Sequence, residues 1–345
     1  MSLILPSLPR ELRASVPAEL RGERRDRVRL MVLDRARRTV EHARFHEMAR
    51  WLRQRDLLVV NTSRTLPAAV AARRADGGTV QVRPCVRRSA GANSEEWDAL
   101  AVEPQPPHAN VPLTEGEPLY VGDVRASVLG RRFDLPLLWR IRVPGDGAAL
   151  LLERGAPIRY SYVPEPIDPT RYQTVFAARP GSAEPPSAGR PFSWELLADL
   201  RRRGISLAEI VLHTGLSSFQ DDAFDAEHHL YEEWFEVPEA TAAAVAEART
   251  GGRVVAVGTT VVRALETAAR TGELRATRGW TDLAIRPGYP LRVVDALITG
   301  FHEPQASHFD LLRAFVEEEL LTRAYAEAVS RRYLWHEFGD ATLIL

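Results

Sequence analysis

Residues 253–302 read RVVAVGTTVVRALETAARTGELRATRGWTDLAIRPGYPLRVVDALITGFH, the densest alternation of strand, loop and helix signals in the chain. An apolar, β-branched run at 254–257 ends in Gly258. Thr259 and Thr260 then precede Val261, Val262, Leu265, Ala268 and Ala269, which recur at helical spacing. The pattern predicts a strand, a short polar loop and a helix. Free N–H groups in the first turn of such a helix, with two hydroxyls beside them, favour a carboxylate, a phosphate or a ribose. From spacing alone an ordinary helix cap reads equally well. Trp280, Thr281 and Asp282 are expected to lead into a short strand, and Pro287, Gly288 and Tyr289 into a turn. A second strand over 293–299 carries Asp295 and ends at Gly300, Phe301 and His302. Two adjacent strand ends are thereby expected to offer Asp282, Asp295 and His302 to one region.

Outward from this stretch, strands are predicted at 29–34 and 56–61, the latter ending in the polar loop Asn61, Thr62, Ser63, Arg64, with a helix at 45–54 between them. Past Pro67 the texture changes to short β-rich pieces at 79–83, 97–102, 125–129 and 137–143, separated by Gly and Pro clusters. After residue 158, helices at 193–203, 238–250, 261–270 and about 309–331 alternate with strands at 207–213, 254–257 and 293–299. The expected fold class is α/β: a mixed-sheet main domain over 1–66 and 156–345, discontinuous, with a small all-β, barrel-like domain over 67–155 spliced into it.

Composition narrows the function. The 345 residues are 45% apolar, enough for two domains with a sizeable core. A formal net charge of −1 argues against a broadly basic nucleic-acid binder. All 45 basic residues are Arg, which excludes Schiff-base chemistry and the lysine of a P-loop. Cys85 is the single cysteine, so an internal disulfide, a C-x-x-C pair and a thiolate zinc cluster are all excluded, and a cytoplasmic location fits. Apolar runs fall short of the roughly 18 residues of a membrane span, and the N-terminus lacks signal-peptide character, so a soluble, unprocessed protein is expected.

Two loops add polar groups. The Pro-, Gly- and Ser-rich loop 177–192 could wrap a ligand with Ser187, Gly189 and Ser193, or serve as a linker. The run 212–219, LHTGLSSF, closes a strand with a histidine and hydroxyls, and Glu232, Glu233 and Glu236 surround Trp234 downstream.

The ordered segments VNTSRTLPA, RYQTVFA, PSAG, LHTGLSSF, YEEWFEVP, VAVGTTVVRALET, GWTDLAIRPGY, VDALITGFHEP and FGDATLI resemble the S-adenosylmethionine:tRNA ribosyltransferase-isomerase family of the queuosine pathway. The match runs from about residue 12 to 345. VGTT-x-VR and TD-x-x-I-x-PGY are its most specific parts. The resemblance implies transfer and isomerisation of the ribosyl moiety of S-adenosylmethionine onto 7-aminomethyl-7-deazaguanine in tRNA. Adenine and methionine leave, and no metal or cofactor is needed beyond S-adenosylmethionine as co-substrate. Such chemistry needs a base to remove a C5′ proton acidified by the sulfonium, an acid to assist adenine departure, and a dry pocket.

On that resemblance the proton-transfer candidates are His213, Asp282, His302 and Glu233. Adenosine and ribose are expected near Gly258, Thr259, Thr260 and Arg263, with Arg263 or Arg64 on the methionine carboxylate, since a guanidinium matches it bidentately. Ser187, Gly189, Gly215, Ser217, Ser218, Phe219, Tyr289 and Asp295 complete the expected substrate contacts. Each has a plain structural reading beside the functional one: Asp282 as a turn cap, His302 bonded to a core carbonyl, Glu233 as a solvated carboxylate.

Departures from the family pattern cluster in these loops. PTAGLHF appears here with Arg190-Pro191 in place of Leu-His, HVGxGTF with Ser217 for glycine, MHSE with Tyr231 for histidine, and TNFHLPKST with Gly300 and Gln305 for Asn and Lys. His308 and Asp310 interrupt a stretch that is otherwise apolar. Two further readings therefore stand: a paralogue that cleaves S-adenosylmethionine or transfers its ribosyl group to another acceptor, and a catalytically inactive tRNA- or ligand-binding protein. For the last, Arg21, Arg24, Arg25, Arg27, Arg29, Arg87, Arg88 and Arg201 to Arg203 are candidate phosphate contacts, with a solvated surface as the simpler account. A monomer is expected.

Overall fold

The computed structural model describes residues 8–221, 224–225, 231–304 and 306–345. The chain opens with an antiparallel pair, β1 (Arg29–Asp34) and β2 (Thr39–Arg44), then β3 (Leu57–Asn61) and the short β4 (Ser63–Thr65). The helix expected at 45–54 is a 3-10 helix, Phe45–Arg50, which buries Phe45, Met48 and Ala49.

Six strands then close into an antiparallel barrel: β5 (Val70–Arg74), β6 (Thr79–Ala90), β7 (Ser94–Val102), β8 (Pro118–Val121), β9 (Val124–Arg131) and β10 (Leu138–Pro144). Val80, Val82, Trp97, Ala99, Leu119, Val128 and Ile141 contribute to its core, inward-facing positions alternating with more exposed ones as a small barrel requires. The Cys85 thiol is buried there and donates to the Asp98 carbonyl. Helix α1 (Gly147–Arg154), capped by Asp146, follows, with Leu151 in the barrel core.

The chain returns through β11 (Arg179–Ser182), which pairs in parallel with β4. Then come α2 (Trp194–Arg202), β12 (Ser206–Leu212), β13 (Glu233–Val237), α3 (Glu239–Ala248), β14 (Val254–Val257), α4 (Thr259–Ala268), β15 (Thr277–Thr281), β16 (Ala296–Gly300), α5 (Ser307–Phe315), α6 (Glu318–Ser330) and β17 (Ala341–Ile344). Nine strands form one mixed sheet in the order β15-β13-β12-β3-β14-β16-β17-β1-β2. Its centre, β12-β3-β14-β16, is parallel. Every residue of β3 and β14 is buried, as expected of strands covered on both faces. Alternate residues feed two cores. Leu57, Val59, Val254, Ala256 and Leu297 pack with residues of α4, α5 and α6; Leu58, Val60, Val255, Val257 and Ile298 pack against Phe45, Phe192 and Leu196.

Three expectations are corrected. Trp280 and Thr281 end strand β15 instead of leading into one. The strand expected at 293–299 begins at Ala296, because the buried Glu266 carboxylate takes the amides of Arg292, Val293 and Val294 at 2.9, 2.9 and 3.1 Å and holds them off the ladder. The helix expected at about 309–331 is two helices, broken at Val316, whose extended backbone lets Phe315 and Val316 both enter the core.

Candidate active site

The parallel strands all run the same way, so their carboxyl ends gather Asn61, His213, Gly258 and the segment after Gly300 along one edge, the usual ligand side of an open α/β sheet. Asn61 ties this edge together. Its Oδ1 accepts from the amides of Ser63 and Leu212, both at 3.0 Å, and its Nδ2 donates to the Leu212 carbonyl at 2.8 Å and to Thr260 Oγ1 at 3.4 Å. Gly258 sits at φ 99°, a conformation that L side chains rarely adopt, and an added Cβ would lie 3.4 Å from Ala188 Cβ. This places the 3-10 turn Ser187–Gly189 directly against the start of α4. The amides of Thr259 and Thr260 have no protein acceptor among the described residues.

His213 is locked in place. Its Nδ1 shares a 2.8 Å hydrogen bond with Ser63 Oγ, which is 2.6 Å from Ser182 Oγ, and its ring stacks on Trp234 at 5.4 Å. A Cβ on Gly181 would come within 2.5 Å of the imidazole, so glycine is what allows the ring to sit there. Burial, reinforced by the charges of Arg87 and Arg179, pushes the imidazole down to about 4.

Beyond His213, four successive amides are consumed by side chains. Thr214 donates to Ser182 Oγ at 2.9 Å, Gly215 to Glu233 Oε1 at 2.7 Å, Leu216 to the Tyr231 hydroxyl and Ser217 to Glu184 Oε1 at 2.9 Å. Ser218 Oγ and the Phe219 amide both bond Asp225, and the Phe219 ring lies in the barrel core. The polar groups of Gly215, Ser217 and Ser218 are therefore already engaged within the protein. Burial raises the Glu184 carboxyl to about 7 against the bonds it accepts from Ser217 and Tyr160, the Glu233 charge adding to the rise.

Glu233 and Arg263 form an ion pair, and Arg263 Nε also donates to the Leu283 carbonyl at 3.0 Å. Past β16, His302 Nε2 bonds Thr299 Oγ1 at 2.8 Å, and its ring stacks on His308 at 5.0 Å with 12° between planes. Burial and the neighbouring His308 and His336 push His302 below the usual imidazole range; His308 is lowered by burial and by Arg263, with Glu233 opposing.

Other expected residues stand elsewhere. The ends of β15 and β16 are not adjacent in the sheet, and Asp295 does not share a region with His302. Four strands separate β15 from β16, and Asp295 precedes β16 while His302 follows it, roughly 17 Å of strand apart. Asp295 Oδ2 accepts from the Val254 amide at 2.8 Å, and exposed Asp282 faces Arg270, two turns beyond Arg263. Tyr289, in the turn around Gly288, lies toward Glu266 in the second half of α4 and Arg270 just beyond its end. Arg64 is exposed, on the opposite side of β4 from Ser63, with no ion pair among the described residues. Ser193 caps α2 and donates to Asp26, and buried Arg190 is bound to Glu19 at 2.6 Å. Gln305 lies outside the described residues.

The candidate phosphate contacts near the N-terminus are largely engaged. Arg24, Arg25 and Arg29 pair with Asp26, Glu19 and Asp340, and Arg21 donates to the Phe338 carbonyl. A cavity of about 730 Å³ lined by Asp34, Arg35, Trp51 and Arg253 lies at the opposite sheet edge. Another of about 530 Å³ sits on the barrel beside Arg88, Arg132 and Glu232.

The residue reading missed Ser63, Ser182 and Glu184. Ser63 lies in a polar loop whose spacing gives no hint of a partner 150 residues away. Glu184 sits in a loop that composition presents as a linker. His308 was visible as a polar interruption of an apolar stretch, without a place.

Among the described residues, no group of three or more His, Cys, Asp or Glu is placed to hold a metal, and no helix is long and apolar enough to cross a membrane. The family described as queuosine biosynthesis protein matches residues 6–344. The chain is 38% identical to the S-adenosylmethionine:tRNA ribosyltransferase-isomerase of Thermotoga maritima over 98% of its own length and 97% of the relative's. It is 40% identical to the protein of that name from Rubrobacter xylanophilus, over 98% and 95%. A crystal structure of the S-adenosylmethionine tRNA ribosyltransferase from Thermotoga maritima aligns with the whole of both chains at 34% identity and a TM-score of 0.56. Full-length similarity in sequence and architecture thus settles the kinship: the chain belongs to the queuosine biosynthesis protein family.

Proposed function

We propose that this protein transfers the ribosyl group of S-adenosylmethionine to the aminomethyl group of 7-aminomethyl-7-deazaguanine in tRNA and isomerises it, releasing adenine and methionine, in the cytoplasm. The observation that carries the reading is the carboxyl edge of a chain similar along its full length to enzymes of that name: an open helix start at Thr259 and Thr260 faces a set of buried side chains fixed by Asn61, Ser63 and Glu233.

In this reading the first turn of α4 receives the donor's hydroxyl or carboxylate groups, with Gly258 and the Ser187–Gly189 turn shaping the wall. Arg263 is neutralised by Glu233 and orients that wall, and Arg64, exposed and with no ion pair among the described residues, offers a guanidinium to an anionic group. His302, neutral and with no hydrogen bond at Nδ1 among the described residues, takes the proton lost from C5′. His213 is held low by burial and positions the loop that carries Gly215. Glu184, whose carboxyl keeps its proton up to about 7, supplies the acid for departing adenine. No second cofactor or metal enters this scheme. The division of the chain into an inserted domain over 67–155 and a main domain over the remainder is part of the same proposal.

The test is to incubate the protein with S-adenosylmethionine, with and without tRNA carrying the aminomethyl-deazaguanine, and follow adenine and methionine. Release that depends on the modified tRNA supports the reading. Donor binding without tRNA-dependent release would favour the paralogue acting on another acceptor.

A further inference from the structure

His308 is a departure from the family pattern for which no hydrogen bond among the described residues accounts. It stands in the first turn of α5, half-buried, its ring parallel to His302, and it makes no hydrogen bond with any described residue. The groups around it are already paired. Glu233, from β13, is neutralised by Arg263, from α4. Glu303, next to His302, binds Arg13 at 3.0 Å and lies 3.3 Å from His336 Nε2. His302 faces Thr299, the Tyr325 hydroxyl of α6 and the His336 ring. Among the described residues, Glu233 and Glu303 are thus each paired with an arginine, while His308 keeps its ring nitrogens free of hydrogen bonds.

We infer that His308 is a donor-contacting residue that presents a neutral imidazole edge to the cationic sulfonium of bound S-adenosylmethionine. The inference rests on the proposed function for the identity of the donor. A neutral imidazole nitrogen carries a lone pair that attracts a cation and accepts a weak hydrogen bond from the polarised C–H groups next to the sulfonium. Stacking on His302 fixes the ring so that its edge, not its face, is available. Burial and Arg263 lower His308 against the opposing Glu233, and burial with the neighbouring His308 and His336 lowers His302, so the pair does not repel the cation it faces. Leucine in the same place would fill the space but could not tell a sulfonium from a thioether.

That distinction gives a readout which a purely structural role would not move. Calorimetric titration of wild type, His308→Leu and His308→Asn with S-adenosylmethionine and with its thioether analogue S-adenosylhomocysteine, whose sulfur is uncharged, measures charge preference as a ratio of affinities. We expect His308→Leu to lower that ratio by about fivefold, the scale of a partly exposed cation contact, with thioether affinity nearly unchanged and part of the ratio restored in His308→Asn. A wild-type ratio in His308→Leu, or equal losses for both ligands, overturns the inference. If wild type binds neither ligand, both the inference and the proposed function fall. If it discriminates between them through His308 but releases no adenine with modified tRNA, the function falls and the inference stands.

Discussion

Two loops at the same sheet edge handle their backbone donors in opposite ways. After β12, the amides of Thr214, Gly215, Leu216 and Ser217 are each bonded to a side chain; after β14, the amides of Thr259 and Thr260 find no protein acceptor among the described residues. Buried donors are normally paired, so the first loop is finished scaffold and the second is waiting for something the protein does not supply. Proximity to the edge does not by itself make a loop a binding loop. His213 follows a strand as the site's other groups do, and its ring is held by Ser63 and Trp234.

The sharpest way to break the contrast is through the ion pair that joins the two loops. Glu233→Gln leaves Arg263 with its side chain largely buried and its charge uncompensated, while an amide oxygen still accepts from Gly215. Urea unfolding should show a loss of about 3–5 kcal/mol, and a loss under about 1 kcal/mol would mean the pair is dispensable.

Glu184 comes next. Its carboxyl is raised from 4.5 to about 7 in the folded protein, so the folded state holds a proton that the unfolded state releases between those values. The associated stability is fully present below about pH 4.5 and is lost as pH rises through 7, on the order of 3 kcal/mol in all. Stability of Glu184→Gln relative to wild type should therefore improve as pH rises across that window, and a pH-independent difference would refute the assignment.

Gly215→Ala would push a Cβ to 2.0 Å from the Tyr231 hydroxyl. It should reduce stability by about 1–3 kcal/mol in chemical denaturation while leaving donor affinity near wild type, because the loop it disturbs is scaffold. At the small end, Asp282→Asn should change stability by less than about 0.5 kcal/mol and leave calorimetric donor affinity unaltered, since Asp282 is exposed and its ion-pair contact with Arg270 is long, at 3.7 Å. A clear loss of affinity would return Asp282 to the site.

How much of this was readable beforehand depended on the range of the interaction. The strand-glycine-helix unit around Gly258 was legible because it is local: β-branched residues, a glycine and helical spacing fall within fifteen positions. The barrel showed through its short β-rich pieces, although β5 and β8 gave too few alternating residues to be seen. The start of β16 was not legible, because Glu266, about 27 residues earlier in the chain, takes the amides of Val293 and Val294. Asp295 and Asp282 were misplaced for a related reason: sequence shows that two strands end, but not that four others lie between them. The Ser63–Ser182–His213 arrangement joins three segments through a sheet pairing that no local pattern encodes.

The central claim is that the donor is received at the start of α4. Calorimetric titration of Gly258→Val with S-adenosylmethionine tests it most directly, beside Gly215→Ala as a folded reference. A valine at 258 must adopt φ near 99° and presses toward Ala188. The account predicts at least about tenfold weaker donor binding in Gly258→Val and near-wild-type binding in Gly215→Ala, the scale expected when strain and a blocked contact add. Unchanged affinity in a folded Gly258→Val protein would contradict it.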